Sequence, residues 1–258
     1  MLLNFSSWNV NGIRACSKNG FVSWLNSSNS DFIGLQEVRA EENQIPPEVL
    51  DFPGFHKNWF PAQKKGYSGV GILSKEKPLM VQRGLGISEF DFEGRVLIAH
   101  FEKVIFVSAY FPNSQDKGAR LGFKLEFCKE LARNLNDLYL KTKKCVVLCG
   151  DYNIAPFPID LARPNENQKT AGYLPEERAW MIEFLDSGWV DTFRYKNPEK
   201  TDAYSWWSAR LNARSRNLGW RIDFHSVPEA FKGAIVEASI EDKVLGSDHC
   251  PVNLTLEF

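Results

Sequence analysis

Leu148-Cys149-Gly150-Asp151-Tyr152-Asn153 closes an apolar run, Cys145 to Leu148, of strand length and β-rich composition. Gly150 reads as the stop of that run, and an acid and an amide then stand two residues apart. In extended chain a spacing of two points both side chains to the same side. An Asp and an Asn projecting together from a buried strand end can hold a water and a phosphate oxygen. The same residues also suit an Asx turn that only closes the strand. The stretch therefore needs its surroundings to decide it.

Three other apolar runs end or begin in polar residues. Trp8-Asn9-Val10-Asn11-Gly12 follows Leu2 to Phe5, Gly34-Leu35-Gln36-Glu37 ends the run from Asp31, and Gly246-Ser247-Asp248-His249 opens the run to Phe258. Strand ends carrying Asn, Glu, Asp and Asp-His are what a carboxylate-bound Mg²⁺ site with general-base chemistry requires.

A chain of 258 residues with 43% hydrophobic content can bury a sizeable core, as one large domain or two small ones. The net charge of −1 gives no whole-chain basic signature for nucleic acid, although site acids offset basic loops in such a sum. The five cysteines are an odd set without a CxxC, and Cys145 and Cys149 read as small core residues. With no charged, apolar leader and no run of membrane-spanning length, the expectation is a monomeric, soluble protein of a reducing, cytoplasmic compartment with no membrane partner.

Leu2 to Trp8 reads as the first strand and Phe21 to Leu25 as a short helix. Short β-rich runs follow at Phe55–Phe60, Gly69–Leu73, Leu79–Arg83, Val96–Phe101 and Val104–Phe111, a density that suggests hairpins and a largely antiparallel sheet. Gly118 to Leu140 is the clearest helix, with Leu121, Leu125, Cys128, Leu131, Leu135 and Leu138 forming a stripe. Lys117 and Arg120 then fall in its first turn, against the dipole preference, unless the preceding coil reaches further. A Pro- and Asn-containing loop runs from Ala155 to Tyr173, and Pro175-Glu176-Glu177 opens a second helix to about Ser187. Ala203–Trp207, Trp220–Val227, Ala234–Ile240 and Val252–Phe258 read as strands. Strand-rich halves flank the long helix without a linker, which reads as one domain, residues 1–258, with a duplication-like layout.

His249 is one of only four histidines and follows an acid directly. Such a ring can stabilise charge on a phosphorane-like oxygen, with Asp223 as its orienting acid; alternatively, Asp223 is a strand-surface acid between Ile222 and Phe224. Trp206, Trp207 and Trp220 interleave with Arg210, Asn212, Arg214, Arg216 and Asn217. Tryptophan is more commonly core, but this mixture also suits stacking on an extruded nucleotide. Lys64-Lys65-Gly66-Tyr67, Lys117-Gly118-Ala119-Arg120 and Arg163 to Lys169 add loop-borne positive charge that fits a phosphate backbone.

These residues give the chain a resemblance to a known family. Besides the four stretches above, Lys65-Gly66-Tyr67-Ser68-Gly69-Val70, Glu93-Gly94-Arg95, Ala109-Tyr110-Phe111-Pro112-Asn113 and Asn212 to Asp223 carry it. The chain resembles the exonuclease III family of apurinic/apyrimidinic endonucleases over nearly its whole length. Asp-x-Asn and Ser-Asp-His occur across the wider endonuclease/exonuclease/phosphatase superfamily, whereas Asn212 to Asp223 is much narrower.

The resemblance implies a four-layer α/β sandwich of the DNase I-like type, two packed and mostly antiparallel sheets flanked by helices. It implies Mg²⁺-dependent hydrolysis, with Mn²⁺ as a substitute, of the phosphodiester 5′ to an abasic site in double-stranded DNA. The products would be a 3′-hydroxyl and a 5′-deoxyribose phosphate, with 3′-to-5′ exonuclease and 3′-phosphatase activities as further possibilities. Under this analogy Glu37 is the principal metal ligand with Asp248 and Asn9 nearby, Asp151 activates the attacking water, Asn153 helps to hold it, and both of these also count among the metal-site residues. Asp223 orients His249, Tyr110 and Asn113 contact phosphate, and Trp206, Trp220 and Ile222 line a pocket for the extruded sugar. Tyr67, Arg120, Asn212 and Arg210 are the expected further DNA contacts. Two departures stand out. Ala155-Pro156-Phe157-Pro158 replaces a commoner Ala-His, and Arg210 stands where some relatives carry an apolar wedge. Another phosphoesterase of the superfamily is the alternative that the tryptophan–arginine loop argues against. A catalytically silent nucleic-acid binder would lack a strand-end acid or His249, and none is lost.

Overall fold

In the computed structural model, which describes residues 1–258, the apolar runs become strands of two six-stranded sheets. Four come early in one sheet: β1 (Leu2–Asn9), β2 (Phe32–Gln36), β3 (His56–Phe60) and β4 (Val70–Ser74). The next four open the other: β5 (Met80–Arg83), β6 (Val96–His100), β7 (Val104–Tyr110) and β8 (Cys145–Asp151). Later come β9 (Trp189–Asp191), the small ribbon β10 (Trp206–Trp207) and β11 (Gly219–Trp220), then β12 (Asp223–Pro228), β13 (Ile235–Ile240) and β14 (Val252–Glu257). The sheet orders are β13-β14-β1-β2-β4-β3 and β5-β6-β7-β8-β12-β9.

Every neighbouring pair is antiparallel except β1 with β2 and β7 with β8. A parallel pair needs a crossover, and a helix supplies each one. The helical segment from Ile13 to Ser27 joins β1 to β2, and the helix Leu121–Thr142 joins β7 to β8. Each crossover covers the outer face of its own sheet. Three apolar layers result. Phe5, Phe32, Ile72, Phe106 and Val147 pack between the sheets; Trp8, Ile13, Phe21 and Trp24 pack outside one; Ile105, Leu131, Leu135 and Phe184 pack outside the other. This is the four-layer sandwich expected.

Several local expectations need correction. Gly150 does not stop β8, which runs on to Asp151. A Cβ at Gly150 would lie 1.8 Å from the Ala109 carbonyl oxygen, so glycine is there for a close approach between β8 and β7. The long helix begins at Leu121, not Gly118, because Lys117 and Gly118 have φ of 56° and 70°. Lys117 and Arg120 therefore precede its first turn, and Arg120, at the N-cap, has its charge paired with Glu93 at 2.7 Å. Its inner face carries Lys124, Phe127, Cys128, Leu131 and Leu135 rather than Leu121 and Leu125. The first crossover helix starts at Ile13, well before Phe21. Only two residues of Ala203–Trp207 are strand, and β9 and the short helix Thr192–Lys196 were not legible.

Candidate active site

The topology explains why the polar strand ends meet. In each sheet the parallel pair ends on the same edge, bringing Asn9 and Glu37 together in one and Tyr110 and Asp151 in the other. The antiparallel partners begin where those strands end. Asp223 at the start of β12 sits opposite Asp151, and His249 just before β14 bridges to Trp206. Between the sheets the filling turns polar toward this edge. Gln36 accepts from Ser7 Oγ at 3.2 Å and donates to Ser108 Oγ at 3.0 Å.

Asp151 is at the centre. Asn9 Nδ2 donates to Asp151 Oδ2 at 2.9 Å and to Glu37 Oε1 at 2.8 Å, so one amide bridges the two carboxylates. The Asn153 backbone N–H donates to Asp151 Oδ1 at 2.8 Å and its Nδ2 to Asp151 Oδ2 at 3.2 Å. Asn153 has φ of 52°, so the acid and amide meet through a turn and not through strand alternation. The Asx turn and the acid–amide pair are thus one structure. Asn113 Nδ2 donates to Asn153 Oδ1 at 2.9 Å. Glu37 and Asn11 also occupy the left-handed region, with φ of 52° and 44°. Such backbone is costly for Glu and is stored where surrounding structure fixes it. Here the Gly12 N–H donates to the Glu37 carbonyl at 2.7 Å. Arg39, unremarked in the sequence, pairs with Glu37 Oε2 and lines the same cavity.

His249 Nδ1 lies 2.8 Å from Asp223 Oδ2, and Nε2 lies 3.8 Å from Asp151 Oδ2. Asp223 is held by its own N–H, which donates to Ser205 Oγ at 3.1 Å. Burial alone disfavours the imidazolium, but Asp223, then Asp151 and Asp248, outweigh it and raise the ring to about 10. Burial is the main cause that raises Asp151 to about 7; His249 opposes it, and Asp223 and Glu37 add to it. Asp248 is lowered: burial pushes it up, but His249, Trp206 and Asn11 together pull it further down. Its oxygens accept from Asn11 Nδ2 at 2.9 Å and from Trp206 Nε1 at 3.1 Å. Tyr110 stays a phenol, raised by burial and by the neighbouring Glu37 and Asp151 charges.

The raised His249 value gives a stability prediction with a definite sign. A cationic group raised from 6.5 to about 10 stabilises the fold fully below pH 6.5, and that stabilisation disappears as pH rises through 10. In chelator, the melting temperature of the native chain is expected to fall over this interval. His249→Gln should flatten the slope, because it removes a pH-dependent stability on the order of a few kcal/mol across the interval. Parallel melting curves for both proteins would remove the buried imidazolium.

The cavity beside these groups has a volume of about 200 Å³. Trp206 and Trp220 make its corner, edge to face at 84° with centroids 6.2 Å apart, and Ile222 and Gly172 complete the wall. Trp207 points the other way into the core, with Arg214 at 4.5 Å over its ring. Arg214 also donates to the carbonyls of Asp242, Val244 and Ser247, so it anchors the loop base. Arg210 and Asn212 lie at the exposed tip of the loop joining β10 to β11. Tyr67 and Arg120 meet away from the cavity wall: Arg120 Nη1 donates to Tyr67 Oη at 3.0 Å and Nη2 to Glu93 at 2.7 Å. Buried Arg95 joins them and donates to the Tyr110 carbonyl at 2.9 Å.

The donor set fits a hard cation. Ligand atoms of Glu37, Asp151 and His249 all lie within 4.8 Å of one another. Asn9 Oδ1 accepts the Asn11 N–H at 3.0 Å, so Asn9 serves here as a donor between carboxylates. Asp248 stands outside that group, on the cavity wall.

A family model described as the Endonuclease/Exonuclease/phosphatase family matches residues 6–249. The chain is 44% identical to an exodeoxyribonuclease of Bacillus subtilis, covering 98% of both chains. It is 38% identical to the DNA repair nuclease APEX1 of Danio rerio, over 98% of this chain and 82% of that protein. The solved structure of an AP endonuclease from Archaeoglobus fulgidus superposes with a TM-score of 0.88 at 27% identity, over 99% of this chain and 100% of the other. With the strand-end site and these full-length matches together, the chain belongs to the endonuclease/exonuclease/phosphatase family, in its branch of exodeoxyribonucleases and AP endonucleases.

Proposed function

We propose that the chain is a Mg²⁺-dependent DNA repair endonuclease that hydrolyses the phosphodiester 5′ to an abasic site in duplex DNA, acting as a monomer. The observation that carries this reading is the juxtaposition of the Asp151–His249–Asp223 group and Glu37 with a small tryptophan-walled cavity. Its 200 Å³ falls below the roughly 300–1,000 Å³ of a drug-sized site. A deoxyribose without a base suits that size.

A divalent ion held by Glu37, with Asp151 beside it, supplies electrostatic stabilisation of the phosphate as negative charge builds. The protein groups do the rest. Asp151 accepts a proton from the attacking water, which Asn153 holds. Water oxygen bonds to phosphorus as the P–O3′ bond breaks, the leaving O3′ takes a proton from solvent water, and a 3′-hydroxyl and a 5′-deoxyribose phosphate result. His249, cationic against Asp223, donates to a phosphate oxygen. Tyr110 and Asn113 provide further neutral donors. Arg210, Asn212, Tyr67 and Arg120 supply backbone contacts along the duplex. The exodeoxyribonuclease relative supports exonuclease activity as a second use of the same site.

The test uses a 5′-labelled duplex with one tetrahydrofuran abasic analogue, with Mg²⁺ or EDTA. The analogue resists β-elimination, so a cut is hydrolytic. One Mg²⁺-dependent product ending just 5′ to the analogue is expected. A ladder shrinking from the 3′ end would make exonuclease the main activity, and no cutting with any divalent ion would overturn the reading. Trp220→Ala is expected to reduce cleavage at the analogue by about 10-fold more than hydrolysis of a simple phosphodiester, since the ring acts in selection. Equal losses on both substrates would place Trp220 in the core.

A further inference from the structure

Lys124 and Glu177 are both wholly buried and face each other, Nζ to Oε1, at 2.7 Å. Neither belongs to the catalytic group; Glu177 also caps the start of its helix by accepting the Leu174 N–H, a contact that a neutral glutamine oxygen could make as well. Taking two charges from water is costly, and replacing such a pair with apolar residues of similar volume is often neutral or stabilising. Stability is therefore a weak account of it. Its hydrogen bonds suggest another.

Lys124 Nζ donates to the Asn153 carbonyl at 2.6 Å. Glu177 Oε1 also accepts from Ser114 Oγ at 2.6 Å, and Oε2 accepts from the N–H groups of Gly172 at 2.7 Å and Leu174 at 2.9 Å. These contacts reach three irregular segments at the cavity. One holds Asn153. Ser114 follows Asn113, which donates to Asn153 Oδ1. Gly172 packs so closely that a Cβ there would lie 3.1 Å from the Asn153 carbonyl oxygen and 3.3 Å from the Trp220 ring. None of these segments has a strand ladder to fix it.

We propose that the Lys124–Glu177 pair is a positioning device: Lys124 fixes the Asn153 peptide, and Glu177 ties the three cavity segments to each other. This rests on the assignment of Asn153 to the reaction. The Asn153 peptide is left-handed, and its carbonyl is buried against Lys124. A buried carbonyl that loses its donor is left with its desolvation uncompensated, so the peptide turns toward another donor. The Asn153 side chain, bonded to Asp151 and to the Phe111 carbonyl, moves with it.

Lys124→Met/Glu177→Gln separates this role from simple support. The Gln carbonyl can still accept from Gly172 and Leu174, no buried charge is left unpaired, and only the bond to Asn153 has no replacement. On the abasic duplex, kcat is expected to fall roughly 10- to 100-fold with KM within about 3-fold. In an Asn153→Ala background the same double substitution should change kcat by less than about 3-fold, because its route is already gone. An equal fall in both backgrounds, an unchanged kcat, or a rise in KM alone would overturn the proposal. If Asn153→Ala by itself leaves kcat unchanged, the assignment of Asn153 fails, and with it the route from Lys124. Should the first variant not fold, Lys124→Gln/Glu177→Gln keeps an amide pair in the core that cannot also span to the Asn153 carbonyl. The same coupling pattern is expected of it, and additive losses would again overturn the proposal.

Discussion

Asp151→Asn is expected to lower kcat on the abasic duplex by roughly 10²–10⁴-fold, the range associated with a general base. The substitution keeps the volume and leaves an oxygen to accept the Asn153 N–H. It removes the atom proposed to take the water's proton. It also places an amide where Asn9 and Asn153 now donate to Oδ2. The native pH profile should share this origin. Burial, reinforced by Asp223 and Glu37, raises Asp151 to about 7, so activity should fall as pH drops through that value. A cation beside Glu37 opposes the shift, so more divalent metal should move the acid limb to lower pH. Single-turnover rates across pH at two metal concentrations, for the native and Asp151→Asn proteins, check both points. A variant within tenfold of the native rate would remove Asp151 as the base. An acid limb indifferent to metal would separate it from the ion.

The strand ends were legible because they rest on local rules. An apolar run that stops at Asn, Glu or Asp announces a buried strand with a polar tip, and four such tips foreshadowed the edge where Asn9, Glu37, Asp151 and His249 meet. What stayed hidden depends on neighbours far along the chain. Lys124 reads as an ordinary helix-surface lysine, and Glu177 reads as a first-turn acid favoured by the helix dipole. Only the packing of helix Pro175–Asp186 against helix Leu121–Thr142 buries them face to face. Trp206 and Trp207 alternate across one short strand, so one must face the cavity and the other the core. Alternation alone holds no sign of which, and it is the family resemblance that assigns Trp206 to the cavity. Gly150 reads as a stop because glycine punctuates runs. Its real constraint, the Ala109 carbonyl, belongs to a strand reached only through a crossover helix. Arg39 was missed although it stands two residues from Glu37, because the turn that brings it back depends on left-handed backbone at both positions, with φ of 52° and 51°.

Glu37→Gln should have the other large effect, on metal binding first and on rate through it. Glu37 is held at both oxygens, by Asn9 at Oε1 and by Arg39 at Oε2. The glutamine oxygen can still accept from Asn9. Its amide nitrogen meets Arg39 donor to donor and brings no charge to the ion. Loss of outer-shell partners alone typically costs 10–100-fold in metal affinity, so loss of a ligand charge should cost at least about that. Two readouts independent of catalysis are available. Mn²⁺ binding followed by electron paramagnetic resonance should weaken by that factor. Thermal stabilisation by added Mg²⁺, which grows as RT ln(1 + [L]/Kd), should shrink at concentrations that stabilise the native protein. If both are unchanged while activity falls, Glu37 acts on phosphate or water and not on the ion. If both fall and saturating metal restores the rate, the carboxylate serves to recruit the ion. A rate that remains low at saturation would mean that it also places the ion against the phosphate.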